Sequence, residues 1–186
     1  VFAAGTLQAD QTGVTEEQFN EIMDRFEAVY TDIVKEKGGI LDLRRNWESG
    51  TVNAYARRSG KNWEIQMFGG LARHETITYE AMMTVVCHEV GHHLGGAPKY
   101  YGNNWASNEG QADYYGSLKC MRKVFTAEEN LEWAKTAEID PVALDQCEAN
   151  FKTDADVAIC ARSAMAGRSL SRLFRALRKE EREPKF

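Results

Sequence analysis

The chain has 186 residues, 43% hydrophobic and 27% charged, which suffices for the core of one ordinary globular domain, and nothing in its pattern divides it into two. Its net charge of −5 excludes a broad phosphate-neutralising face, so nucleic acid is not an expected partner. No apolar run approaches the roughly 20 residues that span a bilayer, the longest candidate being Met82 to Cys87, so no transmembrane segment is expected.

The opening Val1-Phe2-Ala3-Ala4-Gly5 has the small-residue character of sequence around a signal-peptide cleavage site. An exported protein (periplasmic, lipoprotein-like or secreted) is therefore expected, with residues 1–14 as a flexible N-terminal segment. From 15 to 37, Phe19, Ile22, Met23, Phe26, Val29, Tyr30, Ile33 and Val34 keep the spacing of a one-sided helix. Thr15 and Gln18 form a capping box at its start, and Gly38-Gly39 ends it. Ile40–Leu43, Thr51–Tyr55 and Trp63–Phe68 are short, partly alternating and separated by turn residues. They predict a three-stranded sheet, at least partly antiparallel.

Helical spacing returns from Tyr79 to Leu94, closed by Gly95-Gly96, and again from Ser107 to Val124. Thr126 with Glu129, and Asp140 before Pro141, mark two further starts, so 125–186 is expected to be helical throughout. The last helix alternates Arg168, Arg172, Arg175 and Arg178 with Leu170, Leu173, Phe174 and Leu177. It reads first as an amphipathic helix packed on the domain, with peripheral contact to a membrane surface as the sharper reading. Cys87, Cys120, Cys147 and Cys160 are even in number and none is in a C-x-x-C pair. Disulfides suit export, buried thiols fit equally, and full pairing leaves three connectivities open.

His88-Glu89-Val90-Gly91-His92 is an H-E-x-x-H sequence inside the Tyr79–Leu94 helix. Residues four apart share a face, so two imidazoles can reach one ion, while Glu89 lies about 100° around the helix, beside it. Met83, Val86, Cys87, Val90 and Leu94 gather on the opposite face, which is therefore the core side. Gly91 costs about 1 kcal/mol of helix propensity relative to Ala, which suggests a close approach there. A zinc site needs a third protein ligand and, if catalytic, an open fourth position. The next helix offers Glu109 and Asp113, four apart on one face, flanked by the small residues Ala112 and Gly116.

Three blocks together resemble the gluzincin metallopeptidases of the family that contains HtpX and the CAAX prenyl endopeptidases: Asn53-Ala54-Tyr55-Ala56, Cys87 through His93, and Asn108 through Gly116. The resemblance covers about residues 50 to 120. It implies a zincin-like α+β fold, mostly helical, with a small sheet and two active-site helices in one metallopeptidase domain: a catalytic core over 15–124 and a helical part over 125–186. It implies one Zn²⁺ held by His88, His92 and Glu109, Asp113 orienting His88, and Asn53 and Ala54 near a cleft for an extended peptide. Relatives often carry transmembrane helices, absent here, and a small apolar residue is expected where Cys87 stands. For the group that stabilises the reacting carbonyl, Arg168 is nominated, with Tyr100, Tyr101 and His74 as rivals. His93 points away from the ligand pair and is expected at the surface or in a second layer, and His74 in a loop. Trp47, Trp63, Trp105 and Trp133 are expected in the core or cleft wall.

The expected activity is hydrolysis of peptide bonds in a protein or peptide substrate, with Glu89 as the catalytic base. The rival from another class is a catalytically inactive binding or chaperone module that keeps zinc as a structural staple.

Overall fold

The computed structural model describes residues 13–102, 104–182 and 186; the Val1–Gly5 run lies outside them. Helix α1 (Glu16–Glu36) starts at the Thr15–Gln18 capping box and ends before Gly38, which takes a φ of +80°. It buries Phe19, Ile22, Met23, Phe26, Tyr30 and Val34. Within the 1–14 segment expected to be flexible, Val14 is buried and its N–H donates to the Ala72 carbonyl at 2.8 Å.

Strands β1 (Ile40–Asn46), β2 (Ala54–Ser59) and β3 (Asn62–Phe68) form one sheet in the order β1-β3-β2. β1 runs parallel to β3, and β2 runs antiparallel to it through a two-residue loop with Gly60 at φ +57°. β2 sits later than the expected Thr51–Tyr55. The Ser49 hydroxyl takes the Thr51 N–H and the Asn53 side chain takes the Ala54 N–H, which holds 49–53 in a turned path. Beyond it, Arg57 pairs with Glu64 at 2.7 Å and the Arg58 guanidinium lies 3.8 Å from the Trp63 ring centroid, so the strand extends to Ser59.

After the short α2 (Gly69–Ala72), helix α3 (Tyr79–Leu94) runs through the middle of the molecule. It packs on α1, β2, β3 and the chain that follows. The predicted Ser107–Val124 helix divides into α4 (Glu109–Tyr114), a π-helical turn (Tyr115–Cys120) and α5 (Met121–Val124). The wide turn falls where Gly116 passes the His88 backbone, a Cβ at Gly116 meeting the His88 nitrogen at 3.1 Å. Helices α6 (Ala127–Thr136), α7 (Pro141–Asn150) and α8 (Asp154–Arg178) complete the chain, with caps at Thr126, Asp140 and Thr153. No helix among the described residues is long and apolar enough to cross a membrane.

One apolar core joins the inner faces of α1, α3 and α8 to the sheet. Its fully buried side chains each contribute about 1.5–3 kcal/mol relative to exposure. All four cysteines are paired. Cys87–Cys120 ties α3 to the π-turn, which explains a cysteine where a small apolar residue was expected, and Cys147–Cys160 ties α7 to α8.

Candidate metal centre

His88 and His92 lie one turn apart on the face of α3 that meets α4, their ring centroids 4.7 Å apart and planes nearly perpendicular. Glu109 is the first residue of α4, whose start is fixed by Asn108 accepting from the Gln111 N–H at 3.0 Å. Donor atoms of His88, His92 and Glu109 all fall within 4.8 Å of one another. Glu109 Oε2 is 3.1 Å from His88 Nε2 and 3.8 Å from His92 Nε2.

What sets this convergence is the closeness of the two helices. A Cβ on Gly91 would stand 2.7 Å from the Ala112 carbonyl oxygen, so the glycine between the two histidines lets α4 lie directly on α3. The residues noted for their small size, Gly91, Ala112 and Gly116, are the contact.

Each imidazole is oriented from behind. His88 Nδ1 donates to Asp113 Oδ1 at 2.7 Å, and His92 Nδ1 donates to the Ser107 carbonyl at 2.8 Å. Both rings therefore turn Nε2 toward Glu109, the arrangement in which an imidazole ligates a metal. The 95–108 loop is pinned to do this, with Ser107 N–H on the His92 carbonyl, Ser107 Oγ on the Gly96 carbonyl and Gln111 Nε2 on the Gly95 carbonyl.

Burial lowers the His88 pKa, but hydrogen bonds to the Asp113 and Glu109 carboxylates override it and push the group up to about 9. The same contact to His88 holds Glu109 well below the usual carboxylate range, against its own partial burial. His92 is lowered, chiefly by burial. In the metal-free site the cationic form is therefore favoured at His88, against the ionised Glu109, and disfavoured at His92. Two imidazoles and one carboxylate with room for a fourth ligand are a donor set that fits zinc.

Glu89 is 3% exposed and is pushed up to about 7 by burial, His88 opposing the rise and Glu109 adding to it. That places its proton affinity where a group that both takes and returns a proton operates near neutrality. Tyr100 reaches the centre from the 95–108 loop. Its hydroxyl donates to Glu109 Oε1 and its ring lies 6.1 Å from that of His92. Burial and the Glu109 charge push the phenol up to about 12, so it stays a hydrogen-bond donor.

The other residues singled out in the sequence fall elsewhere. Arg168 pairs with Asp140 at 3.0 Å, on α8 and away from the triad. Tyr101 is fully exposed, and His74 is buried in the loop after α2 with Nδ1 on the Thr76 N–H and hydroxyl. His93 is an interior residue rather than a surface one, stacked between Trp63 and Trp105 at 5.3 and 4.9 Å and pushed down to about 4 by burial. Ala54 is the first residue of β2, the sheet-edge strand that packs on α3, and Asn53 is the residue before it. The Ser107 carbonyl has no signature in the sequence, since any residue carries one. Comparison with family models, with curated proteins and with solved structures finds no match.

Proposed function

We propose that this chain is a zinc-dependent endopeptidase of the gluzincin type, related to the HtpX and CAAX prenyl endopeptidase family and working in an oxidising, extracytoplasmic compartment. The observation that carries this reading is the convergence of His88, His92 and Glu109 within 4.8 Å while Glu89 lies buried beside His88 on the same helix. Two disulfides and no free cysteine support the compartment.

When bound, the metal supplies Lewis-acid polarisation of a water and of the peptide carbonyl. The remaining work belongs to the chain. Glu89, buried beside His88 on the same helix, takes the proton from the attacking water and returns it to the leaving amine. Tyr100, held as a donor beside Glu109, offers its hydroxyl to the carbonyl oxygen as negative charge develops there, while Arg168 is committed to Asp140. Asp113 and the Ser107 carbonyl hold the imidazole rings in register by accepting hydrogen bonds from their Nδ1–H groups, which leaves Nε2 of each ring as the atom that would ligate. The exposed edge of β2 offers backbone groups to an extended substrate segment, which selects unfolded or flexible polypeptide.

The test is elemental mass spectrometry of dialysed wild-type protein and its Glu109→Ala variant, followed by cleavage of a reduced, alkylated protein substrate with Glu89→Gln as control. One zinc per wild-type chain, loss of that zinc in Glu109→Ala, and a cleavage rate at least ~100-fold lower in zinc-loaded Glu89→Gln are expected. Zinc retained in both proteins with no cleavage by wild type would replace the enzyme with the zinc-stapled binding module. No zinc in wild type, even after resupply, would remove the metal centre itself.

A further inference from the structure

A cavity of about 390 Å³ opens directly beside the triad, with His88 and Glu109 at one end and α8 as the opposite wall. Val85, Leu170 and Phe174 supply its apolar side chains, and Gly116 borders it. Three of the hydroxyls around it are committed to backbone carbonyls. Thr84 donates its hydroxyl to the Glu80 carbonyl at 2.8 Å, Ser117 to the Asp113 carbonyl at 2.7 Å and Ser163 to the Ser117 carbonyl at 3.5 Å. Asp113, at the mouth, holds His88. No Lys or Arg is among the described residues that line the space. An anionic side chain entering here would be desolvated with no cation among the described lining residues, and a cationic one would meet only the Asp113 and Glu109 carboxylates already engaged with His88, whereas an apolar one would exchange water for methyl and ring surface.

We infer that this cavity is the specificity pocket of the centre, and that it takes one large apolar side chain, aromatic or leucine-like, of a residue flanking the bond to be cut. The inference rests on the reading of the site as a peptidase centre. Its continuity with two metal ligands leaves the scissile bond and the pocket within one residue of each other, and its volume lies in the range of ordinary ligand sites. Gly167 on α8 borders the space, and a Cβ built there meets nothing within 4 Å, so side chains can be added from that wall without moving the fold. Ser171, one turn on, borders it too.

The experiment compares kcat/KM of the zinc-loaded protein on fluorogenic peptides carrying Phe, Leu, Ala, Lys or Asp at each position flanking the cut. Wild type is expected to prefer Phe or Leu over Ala by about 100-fold at one of the two positions, and to reject Asp and Lys. Gly167→Leu is expected to cut the Phe-to-Ala ratio at least tenfold, and Ser171→Asp to raise the Lys-to-Phe ratio by a similar factor, both with wild-type zinc content. Cleavage with no apolar preference, or with a preference that both variants leave intact, would overturn the pocket and leave the peptidase reading standing. In parallel, binding of phenylalanine hydroxamate and glycine hydroxamate is measured by calorimetry. If wild type cuts no peptide yet binds the phenylalanine compound at least tenfold more tightly, and Gly167→Leu erases that difference, the pocket stands and the peptidase reading falls. Equal binding of the two hydroxamates by wild type would overturn the pocket.

Discussion

Replacing Gly91 by Ala places a methyl group where α3 and α4 touch, and the consequence for the metal can be worked from distances. The new Cβ would stand 2.7 Å from the Ala112 carbonyl oxygen and 2.9 Å from its Cα, whereas ordinary contact begins near 3.4 Å. Going from 2.7 to 3.4 Å asks α4 to retreat by about 0.7 Å. Glu109 and Asp113 flank Ala112 on that helix, so the carboxylate ligand and the partner of His88 move together away from the imidazoles. Metal bonds tolerate only about 0.2 Å, so zinc affinity is expected to fall about 10- to 100-fold. The fold itself loses little. Overpacking costs about 1–3 kcal/mol, and the gain in helix propensity returns about 1 kcal/mol. The net loss of up to about 2 kcal/mol should lower the melting temperature of the metal-free protein by no more than about 8 °C. Competition with a chromogenic chelator reads the first quantity and circular dichroism the second. Gly110→Ala is the control, because a Cβ there meets nothing within 4 Å on the same helix, and it should bind zinc as wild type does. A folded Gly91→Ala protein with zinc affinity within twofold of wild type would refute the argument that this contact sets the ligand spacing.

Asp113→Ala should weaken zinc by about 10- to 100-fold without changing far-ultraviolet circular dichroism, since the residue touches the ligand His88 from an exposed position. Zinc uptake at pH 7 should release close to one proton from His88, because that group is pushed up to about 9 in the metal-free site and must be neutral to ligate. Affinity should accordingly climb by up to ~10-fold per pH unit and level off above about 9; calorimetry in buffers of different ionisation enthalpy counts the proton, and a count of zero would be contrary. Removing Cys87–Cys120 as a Cys87→Ala/Cys120→Ala pair should cost more stability than removing Cys147–Cys160, because the loops closed span 33 and 13 residues and chain entropy assigns them about 4 and 3 kcal/mol. Denaturant midpoints rank the two, and the reverse order would show that native-state packing outweighs loop closure.

The elements legible in the sequence are those whose signals are local. α1 begins at the Thr15–Gln18 box because the cap needs only residues three apart, and α3 spans Tyr79–Leu94 because its apolar side chains repeat once per turn. β2 was displaced because its start depends on Ser49 and Asn53 bonding to nearby N–H groups, a competition that apolar alternation does not encode. The π-turn at Tyr115–Cys120 was invisible for a related reason. Its cause is the passage of Gly116 against a backbone 28 positions earlier in the chain, at His88.

The same division runs through the metal centre. His88, His92, Glu109 and Asp113 are readable because each pair is four apart on one helix, and helix geometry alone turns that spacing into a shared face. The groups that complete the centre come from the path of the 95–108 loop. Ser107 acts through a backbone carbonyl, and Tyr100 ranks above Arg168 only once the Lys99–Ser107 bridge and the Asn108 N–H to Pro98 carbonyl bond bring the loop back over His92. Arg168, the nominated residue, pairs with Asp140, while its neighbours Gly167, Leu170 and Phe174 on α8 line the cavity. Helix spacing can therefore say which residues share the face that carries the triad, while what surrounds the triad, the Tyr100 hydroxyl and the cavity walled by α8, is decided by packing between segments far apart in the chain.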